Sequence, residues 1–377
     1  MASLILNETM DINTTVPNVY LVTVPWDWRL TIQLILAIVG ITGNSTVIHI
    51  YLHTHTLTTC ATNRFIAALA VADIITSICI IPIPTLSYVP ANIGGHFYCK
   101  VVHSSFLFWI SVVASIFSLT VLALERFVAI AQPVRYKILF SERMTRFIII
   151  MIWMFAFTLN IFIPFTFHLD EVTGACFVDF VSVTFQMFIG VLAFILEYLV
   201  PLILMLVANI RSIQLLKMQA LVFNTECNQK SADMHLLRAR QQIIYMLLAV
   251  IITFIVCWSP SQFAFLTFTL GLVPHEYIHG NLNRIVVVLA FANSCLNPVL
   301  YALTNKNFRR AIKQHLFRYS KHADEAINGL FDTPLETGEL VGSKTSTGGT
   351  NLSTNSISAS TSTTTKHYDN AIITNNI

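Results

Sequence analysis

Charged side chains are what this sequence has least of. Lys, Arg, Asp and Glu together make up 11% of its 377 residues, less than half of the about 25% usual in soluble globular proteins. So few charges cannot cover a soluble particle of this size, which excludes a soluble enzyme and a charged, disordered scaffold. Glycine is also sparse, at 13 residues, and that excludes a collagen-like rod. The seven cysteines (Cys60, Cys79, Cys99, Cys176, Cys227, Cys257 and Cys295) include no CxxC pair and no His/Cys cluster at zinc spacing. The first residues lack a basic n-region followed by a long apolar run, so no cleaved signal peptide is expected and the first span acts as a signal anchor. The net charge of +3 is too small to argue for a nucleic-acid partner. In place of charge there is apolar material: 55% hydrophobic residues and a mean hydropathy of +0.68. The chain reads as an integral membrane protein.

A helix needs about 20 mainly apolar residues to cross the hydrocarbon. Uncharged stretches of that order run over 30–48, 101–124, 147–169 and 285–305, and a longer one over 241–275 is expected to project beyond the bilayer. Two more qualify if one carboxylate each is admitted: 65 to about 89, with Asp73, and 185 to about 210, with Glu197. Seven spans put the chain ends on opposite sides. With the N-terminus outside, only Arg29, Lys100 and Arg284 of the 22 Lys and Arg residues face out, the asymmetry expected of a cytoplasmic C-terminus. The sequons at Asn7 and Asn13 then lie in an external tail. The expected organisation is a glycosylated extracellular tail over 1–27 and a seven-helix bundle over 28–304. A short amphipathic eighth helix follows on the inner leaflet over 305–318, where Phe308, Ile312 and Leu316 recur between Arg309, Arg310 and Lys313. Over 319–377 a disordered cytoplasmic tail is expected; 15 of the 23 residues from Ser343 to Thr365 are Ser or Thr, a composition unable to form a core.

Polar groups inside spans are costly and mark function. Asp73 closes the run Leu69-Ala-Val-Ala-Asp73, and Asn44, Ser115, Asn293, Ser294 and Asn297 fall at about its depth on other spans. Hydroxyl and amide oxygens around a carboxylate suit a small hard cation or a water cluster. The plainer alternative is a protonated carboxyl bonded to a neighbouring helix. Prolines recur in the spans at Pro82, Pro84, Pro164, Pro201, Pro260 and Pro298. Each frees a backbone carbonyl and permits a kink. Pro260 beside Trp258, and Pro298 beside Asn297, give hinges next to a bulky or polar group.

In order along the spans stand Gly43-Asn44, Leu69-Ala-Val-Ala-Asp73, Ser115-Ile116, Glu125-Arg126-Phe127, Trp153 and Pro201. Phe254-x-x-Cys257-Trp258-Ser259-Pro260 and Asn297-Pro-Val-Leu-Tyr301 follow, with Phe308 beyond. Over residues of about 28 to 318 the chain resembles the rhodopsin-like (class A) G-protein-coupled receptors, most nearly those for neuropeptides. The resemblance implies an all-α, seven-transmembrane bundle in the plasma membrane. It also implies an allosteric sodium site at Asp73, Ser115, Asn293, Ser294 and Asn297, with no cofactor required. Activation and G-protein coupling would fall to Glu125, Arg126, Phe254, Trp258, Pro260, Asn297, Pro298 and Tyr301. It pairs Cys99 with Cys176 in a disulfide, which an oxidising exterior permits. A heterotrimeric G-protein, receptor kinases and arrestin, the last two acting on the Ser/Thr-rich tail, are the implied intracellular partners, with membrane lipid around the bundle.

Some positions depart from the family pattern. The spacing from Cys99 to Arg126 is two residues longer than usual, which predicts a bulge in span three or a start further out. Asn209 stands where a tyrosine is expected. Arg238 and Arg240 stand where some relatives carry an acid that restrains Arg126, which predicts raised basal signalling unless Glu125 alone restrains it.

For the ligand, absences again decide. Residues 101–124 hold no acid to pair with an amine, and 285–305 hold no lysine for a retinal Schiff base. What remains is an aromatic outer region. Phe108, Trp109, Trp258, Phe265 and Phe291 are candidate contacts with Gln262 and Glu197, and Phe106, Phe185, Phe188, Phe194 and Phe263 are further lining. Glu197 is either hydrogen-bonded and neutral or awaits a cationic ligand group. External segments carry seven acids against three bases, an excess that steers cations inward. A short basic or amidated peptide fits best. A small non-amine metabolite or a lipid is the alternative, and a seven-span channel or transporter is more remote. No nucleophile, base and orienting group converge, and His49, His53 and His55 read as loop residues, so no catalytic residue and no enzyme activity are expected.

Overall fold

The computed structural model describes residues 21–22, 26–53, 60–83, 85–86, 88–225, 231–273, 280–304 and 309. Seven helices within it are long and apolar enough to cross a membrane. They are α1 (Trp28–His53), α2 (Ala61–Cys79), α3 (Phe106–Ala131), α4 (Glu142–Asn160), α5 (183–225), α6 (Ser231–Thr269) and α7 (Asn281–Thr304). The glycosylation sites Asn7 and Asn13, the amphipathic segment 305–318 apart from residue 309, and the tail 319–377 lie outside the described residues.

Local chemistry sets the helix ends. Asp27 starts α1, its Oδ1 accepting from the Leu30 N–H at 2.9 Å, as an N-cap does. The hydropathic run of span two extends to about residue 89, yet α2 stops at Cys79 because Pro82 cannot continue a helix. Span four likewise ends earlier than its apolar stretch. After α4 and a turn at Ile163–Thr166, the residues Phe167–Leu169 form strand β3, antiparallel to β4 (Cys176–Val178). Leu21–Val22 (β1) pairs with Thr85–Leu86 (β2) in a second small ribbon. α6 ends at Thr269 rather than reaching residue 275. Its 39 residues span about 58 Å, and the excess over the roughly 30 Å hydrocarbon core lies at its N-terminal end.

The extra length before Arg126 resolves into a bulge. A π-helical turn covers Tyr98–His103, and Ser105 then takes a left-handed backbone (φ +57°) before α3 begins. A second π-helical turn, Phe194–Leu199, interrupts α5 just ahead of Pro201, whose missing N–H leaves the Glu197 carbonyl without its helical donor.

α3 is the central helix: 72% of its spanning window is buried, against 22% for α1 and for α4. The core around it holds Phe65, Leu69, Ile116, Leu119, Leu122, Met205, Val250, Phe254, Trp258 and Tyr301. Glycine allows close helix contacts. A Cβ at Gly43 would sit 3.0 Å from the Pro298 ring, so α1 meets α7 there at backbone distance. Facing away from the core, Ile150, Met154 and Phe155 of α4 and Ile203 and Val207 of α5 are exposed, an apolar surface that only lipid or another protein would cover.

Candidate functional site

The polar residues expected at mid-depth meet around Asp73, which is fully buried. Ser115 on α3 donates to its Oδ1 at 2.7 Å and Asn297 on α7 donates to its Oδ2 at 2.7 Å. The Ser294 side chain is within hydrogen-bonding reach of the same carboxylate. Asn44 ties α1 to this group through the Ser294 carbonyl, at 3.2 Å. Asn293 does not join this network; it is buried, and its Oδ1 has no partner among the described residues. The Asn297 Oδ1 is also without a protein partner. A carboxylate, a hydroxyl and the unsatisfied amide oxygen of Asn297 at one buried point form a hard donor set.

Towards one end of the bundle, Cys99 in the π-helical turn is bonded to Cys176 at the start of β4, which pins the β3–β4 hairpin onto α3. Between the strands Asp170 closes the turn. Its carboxyl is held below its usual range by the Thr173 hydroxyl and by the Val172 and Thr173 N–H groups. His96, ahead of α3, lies 3.8 Å from Glu171 of the hairpin.

Below this end lie the candidate ligand contacts. Phe108 packs edge-on against Trp109 and Phe291, with ring centroids 5.1 and 5.4 Å apart. Trp258 and Gln262 are buried on α6, and neither Trp258 Nε1 nor Gln262 Oε1 has a partner among the described residues. Glu197 is buried in the π-helical turn of α5; no hydrogen bond or ion pair reaches its carboxyl from the described residues. Phe265 is separate from this group: it is 39% exposed and outside the buried core. Of the further lining, Phe188 points outward at 60% exposure and Phe106 packs on Phe157 of α4. Phe194 and Phe263 stack on each other at 5.3 Å.

At the opposite end Arg126 forms an ion pair with the neighbouring Glu125 through both Nε and a terminal nitrogen. Glu125 is fully buried and accepts two more hydrogen bonds, from the Thr62 hydroxyl at 2.9 Å and the Tyr136 hydroxyl at 2.7 Å. Tyr136 sits on a short helix between α3 and α4, Pro133–Leu139, which opens on its proline. Burial, reinforced by the Glu125 carboxylate, pushes the Tyr136 phenol far above its ordinary value, so it stays a proton donor to Glu125. Neither Thr62 nor Tyr136 was legible from the sequence as part of this group. A threonine at the start of a span and a tyrosine in a basic loop carry no signal until the loop folds into a helix. Asn209 turns back to the Met205 carbonyl at 3.0 Å; Phe254 and Tyr301 share the buried core with Trp258, and Pro298 is buried too.

Residues 43–301 match the family model described as 7 transmembrane receptor (rhodopsin family). The chain belongs to this family. A galanin receptor 2a of Danio rerio is 28% identical over 282 residues, 74% of each chain. A QRFP-like peptide receptor of Branchiostoma floridae is 29% identical over 319 residues, 81% of this chain and 82% of that one. A histamine H2 receptor of Rattus norvegicus is 28% identical over 259 residues, 67% and 69% of the two chains.

As a rhodopsin-family receptor, the protein is a multi-pass membrane signal transducer and not an enzyme. It takes a ligand from outside the cell and couples to a G-protein. Its buried polar groups then have two distinct surroundings. Asp73 and Glu125 are committed to partners from neighbouring helices, so they report how those helices are arranged. Glu197 has no such partner.

Proposed function

We propose that this receptor sits in the plasma membrane with its N-terminus outside, binds a peptide bearing a basic group, and passes the signal to a heterotrimeric G-protein at Arg126. The observation that carries this reading is Glu197. Of the three buried carboxylates in the described bundle, it alone lacks a hydrogen-bonding partner. A bare charge at such depth costs about 3 kcal/mol on insertion scales, and a ligand ammonium or guanidinium removes that cost with a charge-assisted bond. A small amine is the less favoured cation, since residues 101–124 of α3 hold no second acid. Galanin and QRFP-like receptors are named for peptides, and the external excess of acids would attract a basic one.

Ligand binding shifts a two-state bundle: contact near Trp258 favours the form in which α6 moves away from Arg126, opening the face that the G-protein enters. We further propose that Asp73, Ser115, Ser294 and Asn297, the last through its unsatisfied amide oxygen, hold a sodium ion when one is present. The ion would supply a positive charge that favours the closed form. Receptor kinases acting on the Ser/Thr-rich tail would add the charge that arrestin reads.

The test begins with a peptide screen on cells expressing the chain, reading second messengers and arrestin recruitment together. With a basic agonist in hand, Glu197→Gln should lower its potency by roughly 10- to 100-fold, the loss of one charge-assisted bond, at unchanged surface expression. Unchanged potency would make Glu197 a structural residue.

A further inference from the structure

Next to Glu197, the π-helical turn of α5 presents Tyr198 to α6. Its hydroxyl is hydrogen-bonded to Ser259 Oγ, and its ring is buried, with centroids 6.0 Å from Phe254, 6.1 Å from Phe263 and 5.4 Å from Phe194. Like Ser115 on α3, Ser259 bonds across to another helix. A serine inside a helix ordinarily folds back onto the carbonyl three or four residues earlier. Ser77, Ser118 and Ser212 do so here, bonding to the Asp73, Ala114 and Ala208 carbonyls. Among the described residues Ser259 makes no such bond; the one hydrogen bond it has there crosses to another helix. It also stands between Trp258 and Pro260. Because Pro260 has no N–H, the Val256 carbonyl lacks its helical donor and α6 is weakest at this point.

We propose that Tyr198 and Ser259 form a latch across α5 and α6. Their hydrogen bond holds the proline hinge of α6 against α5, and its loss releases α6 towards the signalling form. Several observations favour a latch over simple packing. The bond joins two irregular points, the π-helical turn of one helix and the proline of the other, where small backbone changes rotate side chains furthest. The surrounding rings hold the tyrosine in place whether or not the hydroxyl is bonded, so the bond can open without unfolding the core. The Arg126–Glu125 pair is closed in the same structure, which places the latched arrangement with the resting form. This inference does not depend on the ligand class, because it concerns the receptor without ligand.

The experiment is nucleotide exchange by purified heterotrimers of the four G-protein classes, driven by unliganded receptor in lipid nanodiscs at matched amounts. Tyr198→Phe keeps the ring and removes the hydroxyl; Ser259→Ala removes the other partner. Each should raise exchange roughly 3- to 10-fold, the population shift from losing one part-buried hydrogen bond. The double variant should rise no further than the larger single, and Ser259→Thr, which keeps a hydroxyl, should stay near the wild-type rate. Rates that rise with neither single variant for any heterotrimer overturn the latch, as do single effects that multiply in the double. Should Ser259→Ala fold poorly, the near-isosteric Tyr198→Phe decides alone.

Discussion

Asp73 and Glu197 show how far single residues carry the reading. Both are carboxylates placed within apolar helices, and the sequence singles out both on that ground alone. What it could not supply is the difference between them. Asp73 receives hydrogen bonds from α3 and α7, residues 42 and 224 positions away, whereas Glu197 receives none from the described residues. Depth is read from counting along a span, but partnership depends on how the spans rotate. The same rotation leaves Asn293 outside the Asp73 network and Phe265 outside the aromatic group, although each falls at the right depth. At this scale Asp73→Asn is the informative change, because it preserves shape and removes the charge that would hold sodium. With the agonist found by screening, wild-type affinity should rise when sodium is replaced by N-methylglucamine, by a factor of roughly 5 to 150. In Asp73→Asn the two affinities should coincide. A wild-type receptor indifferent to the replacement would remove the sodium proposal and leave the Asp73 network as a purely structural tie.

Element boundaries were less legible than element existence, and the reason is physical. Hydropathy registers lipid compatibility, not backbone conformation, so the apolar run after Cys79 extended span two past the point where Pro82 ends it. The same blindness extended span four across Phe167-His168-Leu169, which is a strand. The long spacing between Cys99 and Arg126 did predict an irregularity, and two successive devices absorb it: the π-helical turn at Tyr98–His103 and the left-handed Ser105. The disulfide sits on the first of them. Because it closes a loop of 77 residues and holds the hairpin to α3, its loss should destabilise the protein by about 2–4 kcal/mol. Cys99→Ser, Cys176→Ser and the double variant should therefore melt at the same lowered temperature, measured on purified receptor in detergent. A double variant clearly less stable than either single would mean that each thiol makes contacts of its own beyond the bond.

Across the whole molecule, the question is what holds the resting form. In a bundle that opens by moving α6, an ion pair from Arg126 to an acid on α6 would be the direct restraint, yet the chain carries Arg238 and Arg240 in that stretch. Arg126 is held instead by Glu125, its neighbour on the same helix. Glu125 is anchored by Thr62 from α2 and Tyr136 from the helix between α3 and α4. None of these contacts crosses to α6. They keep Arg126 turned aside without resisting the motion of α6, so the receptor should signal above empty cells in the absence of ligand, at matched surface expression. Neutralising the anchor should then free Arg126 while leaving α6 as it was. Glu125→Gln should raise unliganded signalling several-fold. Tyr136→Phe, which removes one of the bonds that position Glu125, should raise it less, by roughly 2-fold. If Glu125→Gln leaves signalling unchanged while Tyr198→Phe raises it, restraint lies wholly between α5 and α6 and the Arg126 pair is a consequence of the closed form. If both raise it and their effects multiply, the two restraints act independently.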